Sequence, residues 1–411
     1  MSEGSETAGS ELRRHGWLLL SCMIGFGLGL SGIPFFTLSV FVDPLHEAFG
    51  WSVGAVQAGL TVSYLTSMLV LPAAGALADR VGVRKVALFS LTLYGLALMA
   101  LGAQRGSLWT YYLNWFFIAL LGTGTLAITW TRALTRALTV SRGLGLGLAL
   151  LGSGAVGIFA PTLTRALIDT VGWRWAFVCL GALPILVAVP TTIFFFHDRA
   201  IVGTASAQGL PANRRDPRLW LLGSAFVLFA AAVTGIVPNL VKILTSSGLP
   251  RADAVTAAGA IGLCVVIGRV SCGALLDRFW GPGVAAVYLL LAAAACLLLS
   301  MSTTSPAIAV IAAACVGLAV GAEFDLMPFL VSRYLPADRY TRSLAIASSC
   351  FYLGAALSAP MLAYFYDRTG SYRGGLSISI ALFLLVIVAL MMLGPYPLSQ
   401  RAPSEPLRSS T

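Results

Sequence analysis

The sequence predicts an all-α polytopic membrane protein with twelve transmembrane helices in two pseudo-symmetric six-helix halves. Three observations lead to this fold class. Of the 411 residues, 58% are hydrophobic and only 10% are charged, whereas a soluble globular protein carries roughly 25% charged residues. Apolar stretches of about 20 residues, long enough to cross a bilayer as helices, recur along the whole chain. Several residues of the first half also recur at a constant spacing in the second half, which indicates an internal repeat. A transmembrane barrel would instead show short alternating segments.

Polar, Gly and Pro clusters divide the chain into twelve predicted helices. In chain order they are 16–42, 52–77, 84–103, 108–135, 142–168, 173–196, 218–244, 252–277, 283–300, 306–333, 341–366 and 373–394. The longest polar stretch, 197–217, is a predicted cytoplasmic linker between an N-terminal half, 16–196, and a C-terminal half, 218–394. The segments 1–15 and 395–411 are predicted to be cytoplasmic tails, the first of them disordered.

An internal repeat relates the two halves. Four pairs of residues are each separated by 198–200 positions: Asp79 and Asp277, Arg142 and Arg342, Pro161 and Pro360, Asp169 and Asp367. Six-helix halves related by an axis along the membrane normal are a transporter architecture. Most of the 26 Lys and Arg residues fall in the loops and tails on the side of the termini. We therefore predict a multi-pass protein of the plasma (inner) membrane with both termini cytoplasmic.

The loop after the second predicted helix resembles a family signature. Gly75-Ala-Leu-Ala-Asp79-Arg80-Val-Gly82-Val-Arg84-Lys85 is similar to the loop 2–3 signature of the major facilitator superfamily, and a degenerate copy runs from Gly273 to Gly281. The resemblance covers 16–394. It implies a secondary transporter in which this loop stabilises the outward-facing state, with an acidic side chain near the N-terminus of the eleventh helix. It assigns a conformational gate to Gly75, Asp79, Arg80, Gly82, Arg84, Asp277 and Arg278.

A finer resemblance is to the branch that holds monocarboxylate porters and oxalate:formate exchangers. It rests on three stretches: Asp43-Pro44-Leu45 followed by Phe49-Gly50-Trp51-Ser52, Thr131-Arg132 ahead of Arg142-Gly-Leu-Gly-Leu-Gly147, and Gly268-Arg269. That branch moves small organic anions, often with a proton. Animal monocarboxylate porters have a Lys directly after a Pro in the first helix, and an Asp four residues before the Arg in the eighth. Here those two places hold Phe35 and Val265.

Arg269 is the first candidate for binding substrate. It lies within the eighth predicted helix, where a charge costs roughly 2.5–3.5 kcal/mol unless it faces a cavity or a partner. Its guanidinium can bind a carboxylate through two parallel hydrogen bonds. The alternatives are a structural ion pair with Glu323 or Asp325, or a side chain that reaches the membrane surface. Arg132, near the inner end of the fourth helix, is a second candidate, with ordinary positive-inside charge as its alternative.

Two carboxylates lie in the middle of the tenth predicted helix, in the stretch Gly321-Ala-Glu323-Phe-Asp325-Leu-Met327. A carboxylate removed from water favours its protonated form, whereas a nearby arginine favours the ionised form. An anion that binds Arg269 weakens that second effect, which would couple substrate to proton. Glu323 and Asp325 are therefore the proton-coupling candidates, with a permanent ion pair as the alternative. Residues two apart on a helix point about 200° from each other, so only one can face a given cavity squarely.

Several other polar residues lie within or near the predicted helices. Tyr64, Asn114 and Tyr352 are candidates for lining the substrate path. Lys242, near the outer end of the seventh helix, would either attract anions or extend to the lipid headgroups. The glycines of the fifth helix are interpreted as sites of close helix packing.

The leading functional prediction is a secondary transporter that moves a small organic anion together with a proton by alternating access. A monocarboxylate is the leading candidate for that anion. An anion exchanger, or an efflux transporter for an amphiphilic compound, is the alternative. No catalytic cluster and no ATP-binding motif is present in the sequence, so an enzyme or a primary pump is not predicted, and a receptor-like sensor would need a larger cytoplasmic domain than 197–217. The expected partners are the anion, the proton and the lipid bilayer, without nucleic acid, cofactor or metal, and a monomer suffices because one chain holds both halves.

Overall fold

The computed structural model describes residues 8–127, 129–130, 134, 137–138, 142–196, 216–276, 278–301, 305–336 and 340–396. Regular secondary structure in these residues is helical, with no strand among them. Nine helical stretches in them are long and apolar enough to cross a membrane. The predicted fold class, an all-α polytopic membrane protein, is therefore confirmed.

The N-terminal half begins with a short helix and continues with longer, apolar ones. Its helices are α1 (Ala8–Arg14), α2 (Gly16–Gly27), α3 (Ile33–Phe49), α4 (Val53–Val81), α5 (Val83–Ala100), α6 (Leu108–Gly122), α7 (Arg142–Leu183) and α8 (Val189–Phe195). Residues 8–14 of the predicted disordered tail are thus helical, with Glu11 in the first turn and Arg13 and Arg14 in the last. This charge order complements the helix dipole.

The C-terminal half follows the linker, most of which lies outside the described residues. Its helices are α9 (Pro217–Val233), α10 (Ile236–Ser246), α11 (Arg251–Leu276), α12 (Gly281–Ser300), α13 (Pro306–Tyr334), α14 (Tyr340–Thr369) and α15 (Arg373–Met391). Asp216 caps the first of these, because its side chain accepts a hydrogen bond of 2.9 Å from the amide of Arg218.

Helix boundaries differ from the predicted ones at two places in the N-terminal half. The first predicted helix is not continuous: it is interrupted at residues 28–32 and extends to Phe49. The fourth predicted helix, 108–135, is interrupted, because α6 ends at Gly122 and Leu126 is extended. The fifth and sixth predicted helices are separated as expected, because Gly172, whose φ of 83° lies in the left-handed region, breaks the helical backbone between them. Together they span Gly147–Phe195, 49 residues, about twice the length that one crossing needs. The count of twelve crossings stays a prediction.

The first and seventh predicted helices are both interrupted, at residues 28–32 and at residues 234–235. Each leaves backbone groups that a hydroxyl from another helix satisfies. Thr125 accepts a hydrogen bond of 2.9 Å from the amide of Leu30, and Ser358 accepts one of 2.6 Å from the amide of Gly235. Paired interruptions in corresponding helices of the two halves are typical of the midplane region where transporters bind their substrates.

Glycines bring the two halves together between α7 and α11. A Cβ placed on Gly262 would lie 2.2 Å from the amide nitrogen of Ile158 and 2.6 Å from the carbonyl oxygen of Gly154. A Cβ on Gly157 would lie 2.9 Å from Gly262 in turn. The packing interpretation of the glycines in the fifth helix is therefore confirmed at these positions.

Polar contacts join the halves at the face of the bundle opposite the two termini. Asp367 accepts a hydrogen bond of 2.9 Å from the amide of Gly54, and Lys242 forms an ion pair of 2.7 Å with Asp43. We call this region the closed seam. Deeper in the bundle it continues through two hydrogen bonds of 2.8 Å, from Gln57 to the carbonyl of Pro238 and from Thr61 to that of Ala356.

Candidate functional site

Close packing of α11 against α13 positions Arg269. A Cβ on Gly268 would lie 2.4 Å from the carbonyl oxygen of Leu318, and one on Gly321 would lie 2.3 Å from the carbonyl oxygen of Val265. These glycines allow the two backbones to approach each other without intervening side chains. Arg269 follows Gly268 directly and is only 2% exposed, so its charge lies in the helix interface rather than in lipid.

Glu323 and Asp325 are the charged neighbours of Arg269 from α13. Both carboxylates lie close enough to Arg269 to interact electrostatically with its guanidinium. Glu323 is 5% exposed, and Asp325 is half-buried. The three predicted charged residues therefore form one cluster in the interior of the C-terminal half.

The two carboxylates face different surroundings. Asp325 acts electrostatically on Cys272 and Tyr288, which belong to α11 and α12 of its own half. Glu323 instead acts on Tyr64 of α4 and Tyr352 of α14. This division follows from the helical period, which turns residues two apart by about 200°. Glu323 is thus the carboxylate that faces the junction of the two halves.

Two tyrosines meet at that junction. The rings of Tyr64 and Tyr352 are tilted by 36° with their centroids 6.3 Å apart, within the range of a favourable aromatic pair. The hydrogen bond from Thr61 to Ala356 lies about one turn away on the same two helices and holds them together. Both side chains are half-buried, and both pack against the cores of the two halves.

Of the predicted site residues, the structure brings five together: Arg269, Glu323, Asp325, Tyr64 and Tyr352. Asn114 lies elsewhere, between α6 and α5 of the N-terminal half. With its amide oriented to satisfy both of its polar atoms, it donates to the carbonyl of Ala97 and accepts from the amide of Leu101, each at 3.0 Å. These bonds give Asn114 a role in helix packing. Arg132 lies outside the described residues.

The predicted gate is described only in part. Gly82, with φ of 99°, makes the turn that ends α4 and starts α5. Arg84 donates a hydrogen bond of 2.5 Å to the carbonyl of Ile193, near the C-terminus of α8 in its own half. Arg80 and Arg278 are exposed. The side chain of Asp79 and position Gly75 on α4, together with Asp277, lie outside what the structure describes, so the gate stays a prediction.

The closed seam was not predicted as a unit. From the sequence we expect Lys242 to attract anions or to extend to the lipid headgroups, whereas the structure pairs it with Asp43. Both acidic residues of the closed seam belong to patterns that the sequence shows. Asp43 belongs to the Asp43-Pro44-Leu45 stretch, and Asp367 is one of the repeated marks. The patterns singled out these residues but did not indicate which residues they would contact.

The cluster can bind an anion at the guanidinium and a proton at a carboxylate. An arginine between two carboxylates leaves one more negative than positive charge when all three groups are ionised, and such an excess is costly in the membrane interior. One proton on either carboxylate removes it. Among the described residues, no group of three His, Cys, Asp or Glu side chains is arranged to hold a metal ion.

Comparisons with known proteins agree with this architecture. A sequence model of the Major Facilitator Superfamily matches residues 24–359. The chain is 24% identical to monocarboxylate transporter 11 of Homo sapiens over 90% of this chain and 81% of that protein. It is 27% identical to monocarboxylate transporter 13 of Rattus norvegicus over 85% and 82% of the two chains.

A solved structure shares the fold. It is a bacterial homologue of the human lysosomal transporter Spinster, in an inward-facing and occupied conformation. It superposes with a TM-score of 0.69 at 17% identity and covers 98% of this chain and 100% of its own.

Proposed function

The chain belongs to the Major Facilitator Superfamily, and on that premise we propose that it moves a small organic anion together with a proton. A monocarboxylate is the leading candidate for the anion. The observation that carries the proposal is the buried arginine, Arg269, beside two carboxylates in the interior of the C-terminal half. The names of the relatives, monocarboxylate transporters 11 and 13, point to the same class of substrate.

Arg269 would bind the substrate carboxylate. A guanidinium offers two parallel N–H donors to a planar carboxylate, and burial strengthens such a charge-assisted interaction. The apolar part of the substrate would lie against the rings of Tyr64 and Tyr352, which meet where the two halves join. A monocarboxylate with a small apolar body matches this combination of one cation and two aromatic rings.

The proton would neutralise the charge that the anion adds. A carboxylate of the cluster that accepts a proton as the anion enters leaves the net charge of the buried site unchanged. Crossing the membrane with a constant charge avoids the penalty for moving an extra charge through a low-dielectric interior. Proton and anion would therefore cross together.

The closed seam would be one of two gates in alternating access. Its contacts join α3 and α4 to α10 and α14 and block the path on the face opposite the termini. With both termini in the cytoplasm of the plasma (inner) membrane, that face is external and the state described is closed to the outside. The gate residues around Asp79 would close the other face in the opposite state. One chain, acting as a monomer, supplies both gates.

The excess of carboxylates over arginine favours a second candidate function, efflux of an amphiphilic cation in exchange for protons. In that case Glu323 would bind the cation directly, and Tyr64 and Tyr352 would stack against it through cation–π contacts. Arg269 would then act only as a structural counterion. This candidate predicts proton movement opposite to that of the cation, whereas the leading proposal predicts movement in the same direction as the anion.

The test is reconstitution of the purified protein in liposomes that enclose a pH-sensitive dye. A panel of small carboxylates is added outside at constant external pH, followed by a panel of amphiphilic cations, with protein-free liposomes as the control. Acidification of the lumen by a carboxylate, beyond that of the protein-free control, is the expected result. Alkalinisation by added cations, with no response to carboxylates, would replace the proposal by the second candidate.

A further inference from the structure

A network of aromatic side chains connects the ends of α12, α13 and α15 on the face of the bundle that carries the two termini. Trp280, in the turn before α12, donates a hydrogen bond of 3.1 Å to the hydroxyl of Tyr334 at the end of α13. Tyr334 donates one of 2.6 Å to the carbonyl of Gly394, and the hydroxyl of Tyr396 accepts one of 2.7 Å from the amide of Gly281. These bonds fix the chain that follows α15 in place. We call Trp280, Tyr334 and Tyr396 the aromatic clasp.

The aromatic clasp holds one arginine in a defined position. The guanidinium of Arg333 lies over two rings, with its Cζ 5.3 Å from the centroid of Phe329 and 5.8 Å from that of Tyr396. A cation within about 6 Å of a ring centroid is attracted to the ring. Arg333 is exposed, and among the described residues it has no ion pair and no side-chain hydrogen bond. The rings thus orient the guanidinium and leave its N–H groups open to an acceptor.

Two further arginines lie around the aromatic clasp. Arg278 is two residues before Trp280 in the turn between α11 and α12, and Arg218, at the start of α9, is close enough to Tyr334 to act on it electrostatically. Both are exposed, and neither has an ion pair or a side-chain hydrogen bond within the part of the chain that the structure describes. The neighbouring carboxylate of Asp216 accepts the amide of Arg218. The described side chains here therefore carry a net positive charge with unused donors.

Exposed aromatic rings beside these arginines place them at the membrane surface. Trp220 and Phe279 are 53% and 60% exposed. Each lies within two residues of an arginine, Trp220 of Arg218 and Phe279 of Arg278. Exposed Trp rings next to basic side chains are typical of the level of the lipid headgroups, where the ring contacts the apolar chains. A soluble anion would leave these rings in water, whereas a phospholipid would cover them.

We propose that Arg218, Arg278 and Arg333 form a site for the phosphate group of one anionic phospholipid, and that Tyr396 positions Arg333 within it. A guanidinium binds a phosphate through two parallel hydrogen bonds. Basic pockets between helix ends at the membrane surface bind anionic headgroups. The acyl chains would lie along the exposed rings. The lipid would connect α9, α13 and the turn that holds the predicted gate residue Arg278, whichever substrate the protein moves.

Distributed positive charge is the alternative to such a site. Arginines on one face orient the helices in the membrane without binding any particular lipid. That effect depends on the number of arginines and not on how Arg333 is held. Loss of the Tyr396 ring releases Arg333 without changing the charge, so a variant at this position distinguishes the two explanations.

The test is native mass spectrometry of the purified full-length protein in detergent, titrated with phosphatidylglycerol or with phosphatidylcholine of the same acyl chains. The wild type is expected to bind one phosphatidylglycerol roughly tenfold more tightly than phosphatidylcholine, or better. Arg333→Gln and Arg218→Gln should each lower the affinity for phosphatidylglycerol about fivefold, the equivalent of about 1 kcal/mol for each basic residue at the surface. The affinity for phosphatidylcholine should not change.

Two further variants serve as controls for position and for charge. Tyr396→Leu should lose about as much affinity for phosphatidylglycerol as Arg333→Gln, whereas Tyr396→Phe keeps the ring and should lose less. Arg368→Gln is the matched control, because Arg368 is also exposed and lies over a ring, with its Cζ 4.7 Å from the centroid of Tyr364, but belongs to the opposite face. It should bind phosphatidylglycerol as the wild type does.

Three results would overturn the proposal. The first is equal affinity of the wild type for the two lipids. The second is wild-type binding by folded Tyr396→Leu, or an equal loss in Arg368→Gln and Arg333→Gln, because charge would then act without a defined site. The third is displacement of the lipid by inorganic phosphate at constant ionic strength, which would assign the site to a soluble anion. Arg333→Gln replaces an exposed side chain and should keep the wild-type Tm, so its lipid affinity decides the matter even if Tyr396→Leu does not fold.

Discussion

The two halves of the molecule share a fold but differ in the charge of their interiors. The C-terminal half holds Arg269, Glu323 and Asp325 in its core. At the repeat offset of 198–200 residues, the N-terminal half has Leu-Val-Leu at 69–71 and Thr-Gly-Thr-Leu-Ala at 123–127, with no charge in either stretch. The repeat therefore preserves the helical framework, while the charges at these positions belong to the C-terminal half alone.

The uncharged counterpart has a structural task of its own. Thr125, which corresponds to Glu323 under the offset, accepts the amide of Leu30 and donates to the carbonyl of Gly122. It thereby holds the interruption of the first helix. The N-terminal half contributes shape and the ring of Tyr64, and the C-terminal half contributes charge.

The acidic residue that the repeat places at the end of the fifth and eleventh predicted helices also has a different role in each half. Asp367 accepts the amide of Gly54 across the junction, where the N-terminus of α4 favours an anion. Its counterpart Asp169 forms an exposed ion pair of 2.8 Å with Arg165 one turn earlier in the same helix. Asp367 thus connects the two halves, whereas its repeat counterpart Asp169 pairs only within its own helix.

The largest effect is expected at the charged half. Arg269→Lys should reduce carboxylate uptake about tenfold to hundredfold, because a hydrogen bond to a charged group contributes roughly 1.5–3 kcal/mol and the ammonium cannot reproduce the bidentate geometry. Uptake of labelled substrate into liposomes measures this. Arg165→Lys in the N-terminal half, at an exposed pair, is the matched control and should retain full uptake. Equal activity of both variants would remove the distinction between the halves.

The close crossing of the halves offers a second, smaller effect. Gly262→Ala places a Cβ 2.2 Å from the amide nitrogen of Ile158, so α7 and α11 must move apart. Overpacking of this kind costs roughly 1–3 kcal/mol, and we expect a Tm several degrees lower in detergent, measured by thermal unfolding. Gly147→Ala has no neighbour within 4 Å of the new Cβ and should leave Tm unchanged. A wild-type Tm for Gly262→Ala would argue against this crossing.

The smallest effect is expected at the closed seam. Asp367→Asn weakens one hydrogen bond across the halves, worth about 1 kcal/mol, and should speed hydrogen–deuterium exchange of the peptide around Gly54 by roughly fivefold. Asp169→Asn, the repeat counterpart, should not affect that peptide. If both variants exchange alike, Asp367 does not hold the seam, and the asymmetry between the two acidic marks has no functional meaning.

The sequence predicted the framework more completely than the contacts within it. Apolar stretches and the repeat were sufficient for the fold class, because each membrane helix must satisfy its own backbone. The buried charges were also recognisable from sequence, because charge is rare in such helices. The helical period fixed the angle between Glu323 and Asp325 but not the rotation of α13, which depends on its packing against α11.

Other features depend on contacts that sequence patterns do not encode. The interruption at 28–32 is stabilised by Thr125 from a distant helix, so hydropathy alone extended the first helix through it. The amide of Asn114 bonds to backbone atoms of α5, a neighbour that its own segment does not specify. Asp43 and Lys242 are 199 positions apart in the chain and meet only when the halves close.

The most direct test of the account is the proton-to-anion stoichiometry of the wild-type protein. Labelled monocarboxylate and luminal pH are followed together in liposomes, first with a pH gradient alone and then with an imposed membrane voltage. The account predicts one proton for each monocarboxylate and no effect of voltage, because the charge of the buried cluster is the same when it is empty and when it is loaded. Uptake driven by voltage, or anion entry without acidification, would contradict it.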